Sequence, residues 1–208
     1  MPLLNLKFKK QYSVAVFCGA QNGRSPAYKK AAEELGALIA KNKWRLVYGA
    51  GGVGLMGSVA RAALRLNGPI YAVTEKVVAT WEKPLDATRY RTAPTLEKRK
   101  LEFTEHADAF ICLPGGAGTI DEFMNILTKK YIAQRHSWNV KKPEYFENRP
   151  IVLINTNGFW APTVAMLKKS IAEGFMAESD LELFKVAKNA KEAVDYINTA
   201  RKAERGQA

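Results

Sequence analysis

Leu113-Pro114-Gly115-Gly116-Ala117-Gly118-Thr119-Ile120-Asp121-Glu122 is the stretch around which the other segments fall into place. Ahead of it runs Ala109-Phe110-Ile111-Cys112-Leu113, a short unbroken apolar run of the kind shown by a strand buried on both faces. Behind it, Phe123, Ile126, Leu127 and Tyr131 recur at helical spacing. The stretch therefore reads as strand, glycine turn, helix. Gly115, Gly116 and Gly118 let a backbone turn tightly and approach a ligand with no Cβ in the way. The free N–H groups and positive dipole end of the following helix suit an anion, most often a phosphate.

Two carboxylates, Asp121 and Glu122, fall at the start of that helix. One reading of Glu122 is purely local: Thr119-x-x-Glu122 has the form of a capping box, and acids favour helix N-termini. The other is functional. A carboxylate about 4 Å from a bound phosphate would be repelled by roughly 4 kcal/mol at intermediate dielectric. A carboxylate kept there would face another part of the ligand, such as a sugar. The two readings are compatible.

Working outward, Ser13–Cys18 reads as a first strand, and Pro26 suits the first turn of a helix carrying Ala31, Leu35, Leu38 and Ile39 on one face. Arg45–Tyr48 is a second strand, followed by the glycine-rich 49–57 and a helix from Leu55 to Leu66 that Asn67-Gly68-Pro69 stops. Ile70–Val73 is a third strand. The segment 75–94, with Trp81 and Pro84, is poorly patterned and reads as a loop with a short helix over the site. Thr95 caps a helix to about Glu105 that carries Arg99-Lys100 near its start. Later come a strand at 151–155, a helix at 161–173, a short strand at 183–187 and a helix at 190–201. Alternation of strand and helix predicts an α/β fold, a Rossmann-like doubly wound, mostly parallel sheet with its ligand at the strands' C-terminal ends. The expected organisation is one domain over 1–208, with tails at 1–12 and 202–208.

Gly49-x-Gly51-x-x-Gly54 matches a dinucleotide fingerprint, and Glu75 falls where a ribose-binding acid would belong. The match follows the second strand rather than the first, and GxGxxG alone is a weak signal. With 208 residues, 47% of them hydrophobic, one full core is expected. No apolar run reaches membrane-spanning length, and 1–12 lacks a signal-peptide core. Cys18 and Cys112 read as reduced residues of a cytoplasmic protein, and two Cys with two His make a metal site unexpected. Lys+Arg 32 against Asp+Glu 20 gives a formal +12, spread along the chain, which favours anionic small ligands without implying a specific nucleic acid.

Pro114-Gly-Gly-Ala-Gly-Thr-Ile-Asp-Glu122 resembles the PGGxGTxxE signature of the LOG ("lonely guy") family, cytokinin riboside 5′-monophosphate phosphoribohydrolases long mislabelled lysine decarboxylases. Val16-Phe17-Cys18-Gly19, Val47-Tyr48-Gly49, Gly54-Leu55-Met56-Gly57 and Arg99-Lys100 extend the likeness over about 13–176. The resemblance implies hydrolysis of the N-glycosidic bond of a purine riboside 5′-monophosphate, without metal or cofactor, in a homodimer whose sites draw on both subunits. It assigns catalysis to Arg99 and Glu122. Substrate contacts fall to Gly19, Gly52, Gly54, Glu82, Lys100, Gly115, Gly116, Ala117, Gly118, Thr119, Asp121 and Thr128. Arg99 is expected to keep Glu122 ionised, since a nearby cation lowers a carboxylate's pKa. The segment 134–149 is longer than its LOG counterpart, which leaves the base open: adenine, an isoprenylated adenine or another purine. The competing class is a non-catalytic carrier of the same fold, binding a nucleotide or molybdenum cofactor.

Overall fold

The computed structural model describes residues 11–80, 85, 89–135, 146 and 148–206. Its chain runs β1 (Ser13–Phe17), α1 (Pro26–Lys41), β2 (Arg45–Tyr48), α2 (Gly54–Leu64), β3 (Ile70–Glu75), β4 (Arg89–Ala93), α3 (Leu96–His106), β5 (Ala109–Cys112), α4 (Ala117–Arg135), β6 (Ile151–Ile154), α5 (Ala161–Ala172), β7 (Lys185–Ala187) and α6 (Ala190–Gly206). The strands form one seven-stranded sheet in the order β4-β3-β2-β1-β5-β6-β7, every pair parallel. The order reverses between β1 and β5, so the loops after these strands border the crevice where such sheets bind ligands.

β1 shows why the sheet is covered on both faces. Val14 and Val16 pack among Leu35, Ile39, Leu46 and Val59, the layer of α1, α2 and α6. Their neighbours Ala15 and Phe17 pack among Phe103, Phe110, Phe123 and Leu167, the layer of α3, α4 and α5. All four β1 residues are essentially fully buried, which is why the run reads as continuous rather than alternating. Gly36 permits the close crossing of α1 on α2: a Cβ there would collide with the Val59 carbonyl and stand 3.0 Å from Ala62 Cβ.

β4 is an unexpected strand inside the segment assigned to a loop. Its first four residues, Arg-Tyr-Arg-Thr, are exposed, so no apolar periodicity marks it. Pairing with β3 from Tyr71↔Arg89 to Glu75↔Ala93 defines it, at the sheet edge. A 3-10 turn at Val78–Thr80 supplies the expected short helix. Trp81, Glu82, Pro84 and most of the 134–149 insertion lie outside the described residues. The helix expected to end at Arg201 runs to Gly206, and residues 1–10 and 207–208 of the expected tails also lie outside the description. Among the described residues no helix is long and apolar enough to cross a membrane.

Candidate active site

The turn after β5 is shorter than the capping-box reading requires. Helix α4 winds from Ala117, and Ile120 N–H donates to Gly116 O at 3.1 Å, so Gly116 supplies the first helical acceptor. Thr119 is thus inside the helix rather than at its cap, buried against Gly115. Asp121 and Glu122 fall in the second turn, which frees Glu122 from any capping role. It meets Arg99 instead.

Arg99 projects from the fourth position of α3, whose N-cap Thr95 accepts from Lys98 N–H as expected. Its guanidinium is held on three sides. Nε donates to Val73 O on β3 at 3.1 Å, Nη2 to Gly49 O after β2 at 3.3 Å, and Nη1 to Glu122 Oε1 at 3.1 Å. The ring of Phe103 lies beneath it, 5.0 Å from the guanidinium carbon. A Cβ at Gly49 would collide with Arg99 Nη2, so this glycine of the fingerprint-like run makes room for the arginine. The acid candidate of that run is likewise occupied: Glu75 Oε2 accepts from Val77 N–H at 2.9 Å and Val78 N–H at 3.3 Å, shaping the turn after β3.

Both partners of the Arg99–Glu122 pair are largely withdrawn from water, 13% and 11% exposed. Sequence reasoning expects the arginine to hold the carboxyl down. Burial outweighs it: desolvation pushes Glu122 up to about 7, with Arg99 pulling the other way and Asp121 adding a smaller upward push. Beneath lies Cys112, whose thiol burial raises well above its usual range, removing it as a nucleophile at neutral pH. Beside the buried pair, Lys100 Nζ meets Asp121 Oδ2 at 3.1 Å, with Asp121 59% exposed. That outer bridge is a surface pair of small energetic weight.

A cavity of about 320 Å3 opens over the pair, with Arg99, Glu122, Gly116, Gly118 and Thr119 on one side and Cys18, Gly19 and Ala20 on another. Met56, Val78 and Leu96 complete it with apolar surface. Six expected residues thus share one chamber: Gly19, Arg99, Gly116, Gly118, Thr119 and Glu122. Gly115 lines an adjoining cavity. Asp121 and Thr128 face a groove on the outer side of α4, apart from this chamber. Gly52 and Gly54 line neither chamber. Gly54 adopts φ +59° with its Cα against the Ala20–Gln21 backbone, and Gly52 O accepts from Arg61 Nη1 at 2.7 Å. Gly54 thus brings the start of α2 against the loop after β1, and Gly52 ties the loop after β2 to α2. Sequence reasoning did not single out Val78 or Leu96. Leu96 stands one turn before Arg99 on α3 and is 50% exposed, an apolar residue at a helix start whose spacing was the available signal.

Known proteins resemble this chain in sequence and in fold. A Rhodococcoides fascians protein called cytokinin riboside 5′-monophosphate phosphoribohydrolase is 35% identical over 90% of this chain and 89% of its own. An Arabidopsis thaliana protein of the same name is 30% identical over 92% and 85%. Among solved structures, the molybdenum cofactor binding protein of Rippkaea orientalis superposes with a TM-score of 0.66 at 17% identity, covering 91% of this chain and 97% of that one. The Chlamydomonas reinhardtii molybdenum cofactor carrier gives 0.64 at 17%, covering 93% and 99%. These two likenesses establish the fold alone. With residues 56–197 matched by the family model described as possible lysine decarboxylase, and with relatives of this identity along nearly its whole length, the chain belongs to the LOG family.

Proposed function

We propose that the chain hydrolyses the N-glycosidic bond of a purine riboside 5′-monophosphate, AMP or an N6-substituted relative, to free base and ribose 5-phosphate. One observation carries this reading: a buried carboxyl near neutrality, paired with a fixed arginine, shares a chamber with a glycine-rich helix N-terminus. The Gly116–Thr119 N–H groups suit the phosphate. Anchoring that end places the ribose over Glu122 and Arg99. Cleavage breaks the bond from C1′ to the base nitrogen and builds positive charge on the sugar, as in glycosidases. Ionised Glu122 stabilises that charge and accepts a proton from the attacking water, whose oxygen bonds to C1′ while the departing base takes up a proton. A carboxyl poised near 7 suits such a base at neutral pH. Arg99 fixes the carboxylate's direction and faces the ribose.

The relatives named phosphoribohydrolases support this over a carrier. A carrier of the same fold would use the glycine cradle without needing the buried pair. In the proposed form the working unit is a homodimer, with Lys100 beside the reacting pair and Asp121 and Thr128 outside the chamber. The test is to incubate the protein with AMP and with isopentenyladenosine monophosphate and chromatograph the products. Free base with equimolar ribose 5-phosphate is expected. Nucleotide bound and recovered intact would assign the carrier role instead.

A further inference from the structure

A second cavity, of about 340 Å3, adjoins the first. Gly19, Ala20 and Gly116 line both, so the chambers meet where the loop after β1 crosses the loop after β5. Gly19 N–H donates to Pro114 O at 3.0 Å across that crossing. Above it the boundary is open among the described residues, since a Cβ added to Gly116 would meet none of their atoms within 4 Å.

The two chambers differ in chemistry. The first holds the buried ion pair. Among the described residues the second is lined by no Lys, Arg, Asp or Glu; its walls include Tyr28 of α1 and Phe159 of the loop after β6, with Leu55, Pro114 and the amides Gln21 and Asn22. The two rings stand edge to face, centroids 6.4 Å apart at 79°. The walls are also tied together, because Asn157 Nδ2 donates to Ser25 Oγ at 3.0 Å, joining the β6 loop to the N-cap of α1. An uncharged, preformed, ring-lined chamber suits a flat apolar group.

The chambers lie on opposite sides of the reversal in strand order, one toward α3 and one toward α1 and the β6 loop. Doubly wound sheets hold two-part nucleotides across that reversal, with phosphate at its centre. Here Gly116, at the α4 N-terminus, lines both the chamber of the Arg99–Glu122 pair and the aromatic chamber. We propose that the second chamber receives a flat aromatic group esterified to the phosphate of a nucleoside 5′-phosphate whose ribose occupies the first. The natural ligand class therefore includes aromatic 5′-phosphodiesters as well as monophosphates. This rests on the phosphate lying at the α4 N-terminus. Among the described residues the lining offers no cation to further phosphates.

Calorimetry of the full chain with AMP, the phenyl phosphodiester of AMP, and ATP tests it. The phenyl ester should bind about tenfold more tightly than AMP, the scale of one good aromatic contact, and ATP no more tightly. Phe159→Leu and Tyr28→Leu should remove the ester's advantage while leaving AMP affinity within about twofold. Melting curves of both variants identify loss of fold, and the wild-type comparison of ester with AMP stands without them. An ester that binds no better than AMP, while AMP is bound and cleaved, overturns this inference alone. Equal weakening of AMP and ester by both variants overturns it too, by putting the purine itself between the rings. Failure to bind AMP would overturn the phosphate placement and this inference together.

Discussion

Arg99 Nη1 stands 3.1 Å from Glu122 Oε1, yet the carboxyl beside that cation is harder to ionise than one in water. The removal of water around Glu122 disfavours its charged form more than one guanidinium favours it. Arg99 is itself shared, spending two of its donors on the Val73 and Gly49 carbonyls. The pair is a poised acid–base unit rather than a settled salt bridge, and the pH behaviour follows from that.

If ionised Glu122 is the working form, turnover should rise with pH through about 7 and level off above it. The sign for stability is opposite. The folded form holds this proton more tightly than the unfolded chain, whose carboxyl titrates near the ordinary 4.5. Between these values the native state binds more protons, so the Glu122 contribution to stability falls as pH rises. Turnover and melting temperature recorded from pH 5 to 9 should therefore move in opposite directions through this group. A pH–rate curve flat across 6 to 8 would remove Glu122 as the titrating base.

Glu122→Gln isolates the charge. Glutamine retains an oxygen for Arg99 Nη1, and no helix cap depends on the carboxylate, so the variant should fold. Its turnover should fall by about 10²–10³, the usual loss for one preorganised electrostatic group. Against wild type, its relative melting temperature should climb from pH 5 to 7, because the group that loses stability over that range is gone. Asp121→Asn should change turnover far less, since Asp121 lies outside the chamber and pairs at the surface. An active Glu122→Gln enzyme would leave the carboxylate without a chemical role.

Sequence patterning captured what depends on local rules. Continuous apolar runs identified β1, β5 and β6, the Asn67-Gly68-Pro69 stop marked the end of α2 to within two residues, and Thr95 capped α3 as expected. What it missed depends on tertiary context. β4 has no apolar signal because its outer residues face away from the core at an edge, and only pairing with β3 defines it. The Thr119/Glu122 spacing fits a capping box equally well whether or not the helix starts there, and only the winding from Ala117 decides. The ionisation of Glu122 was misjudged for a related reason: the arginine was visible in the sequence and the depth of burial was not. The glycines looked alike for the same reason, though they serve different ends in space.

Affinity should depend on phosphate. AMP should bind much more tightly than adenosine, because the N-terminal N–H groups of α4 are offered to an anion and raised salt would screen only part of their effect. Calorimetry of the two ligands in the same buffer measures it directly. Equal affinities would place the phosphate elsewhere, and a nicotinamide dinucleotide bound more tightly than AMP with no cleavage would favour a cofactor-binding role.

Gly115 and Gly118 separate the demands of the turn from those of the ligand. A Cβ at Gly115 would stand 2.7 Å from Thr119 Cβ and 2.8 Å from Gly19 N, with the Thr119 hydroxyl closer still. All of these belong to packed backbone or a buried side chain, so nothing nearby yields easily. Gly115→Ala should therefore cost about 1–3 kcal/mol, as forced overpacking does, and lower the melting temperature before any question of binding arises. At Gly118, already helical, a Cβ would meet no atom of the described residues within 4 Å, at a position lining the chamber. Alanine also forms helix better than glycine by up to about 1 kcal/mol. Gly118→Ala should thus keep or raise the melting temperature while raising KM for AMP, because its methyl occupies room that the phosphate needs. Melting curves and steady-state kinetics on both variants decide the matter. A Gly118→Ala enzyme with unchanged KM would show that no ligand group approaches the helix at that point.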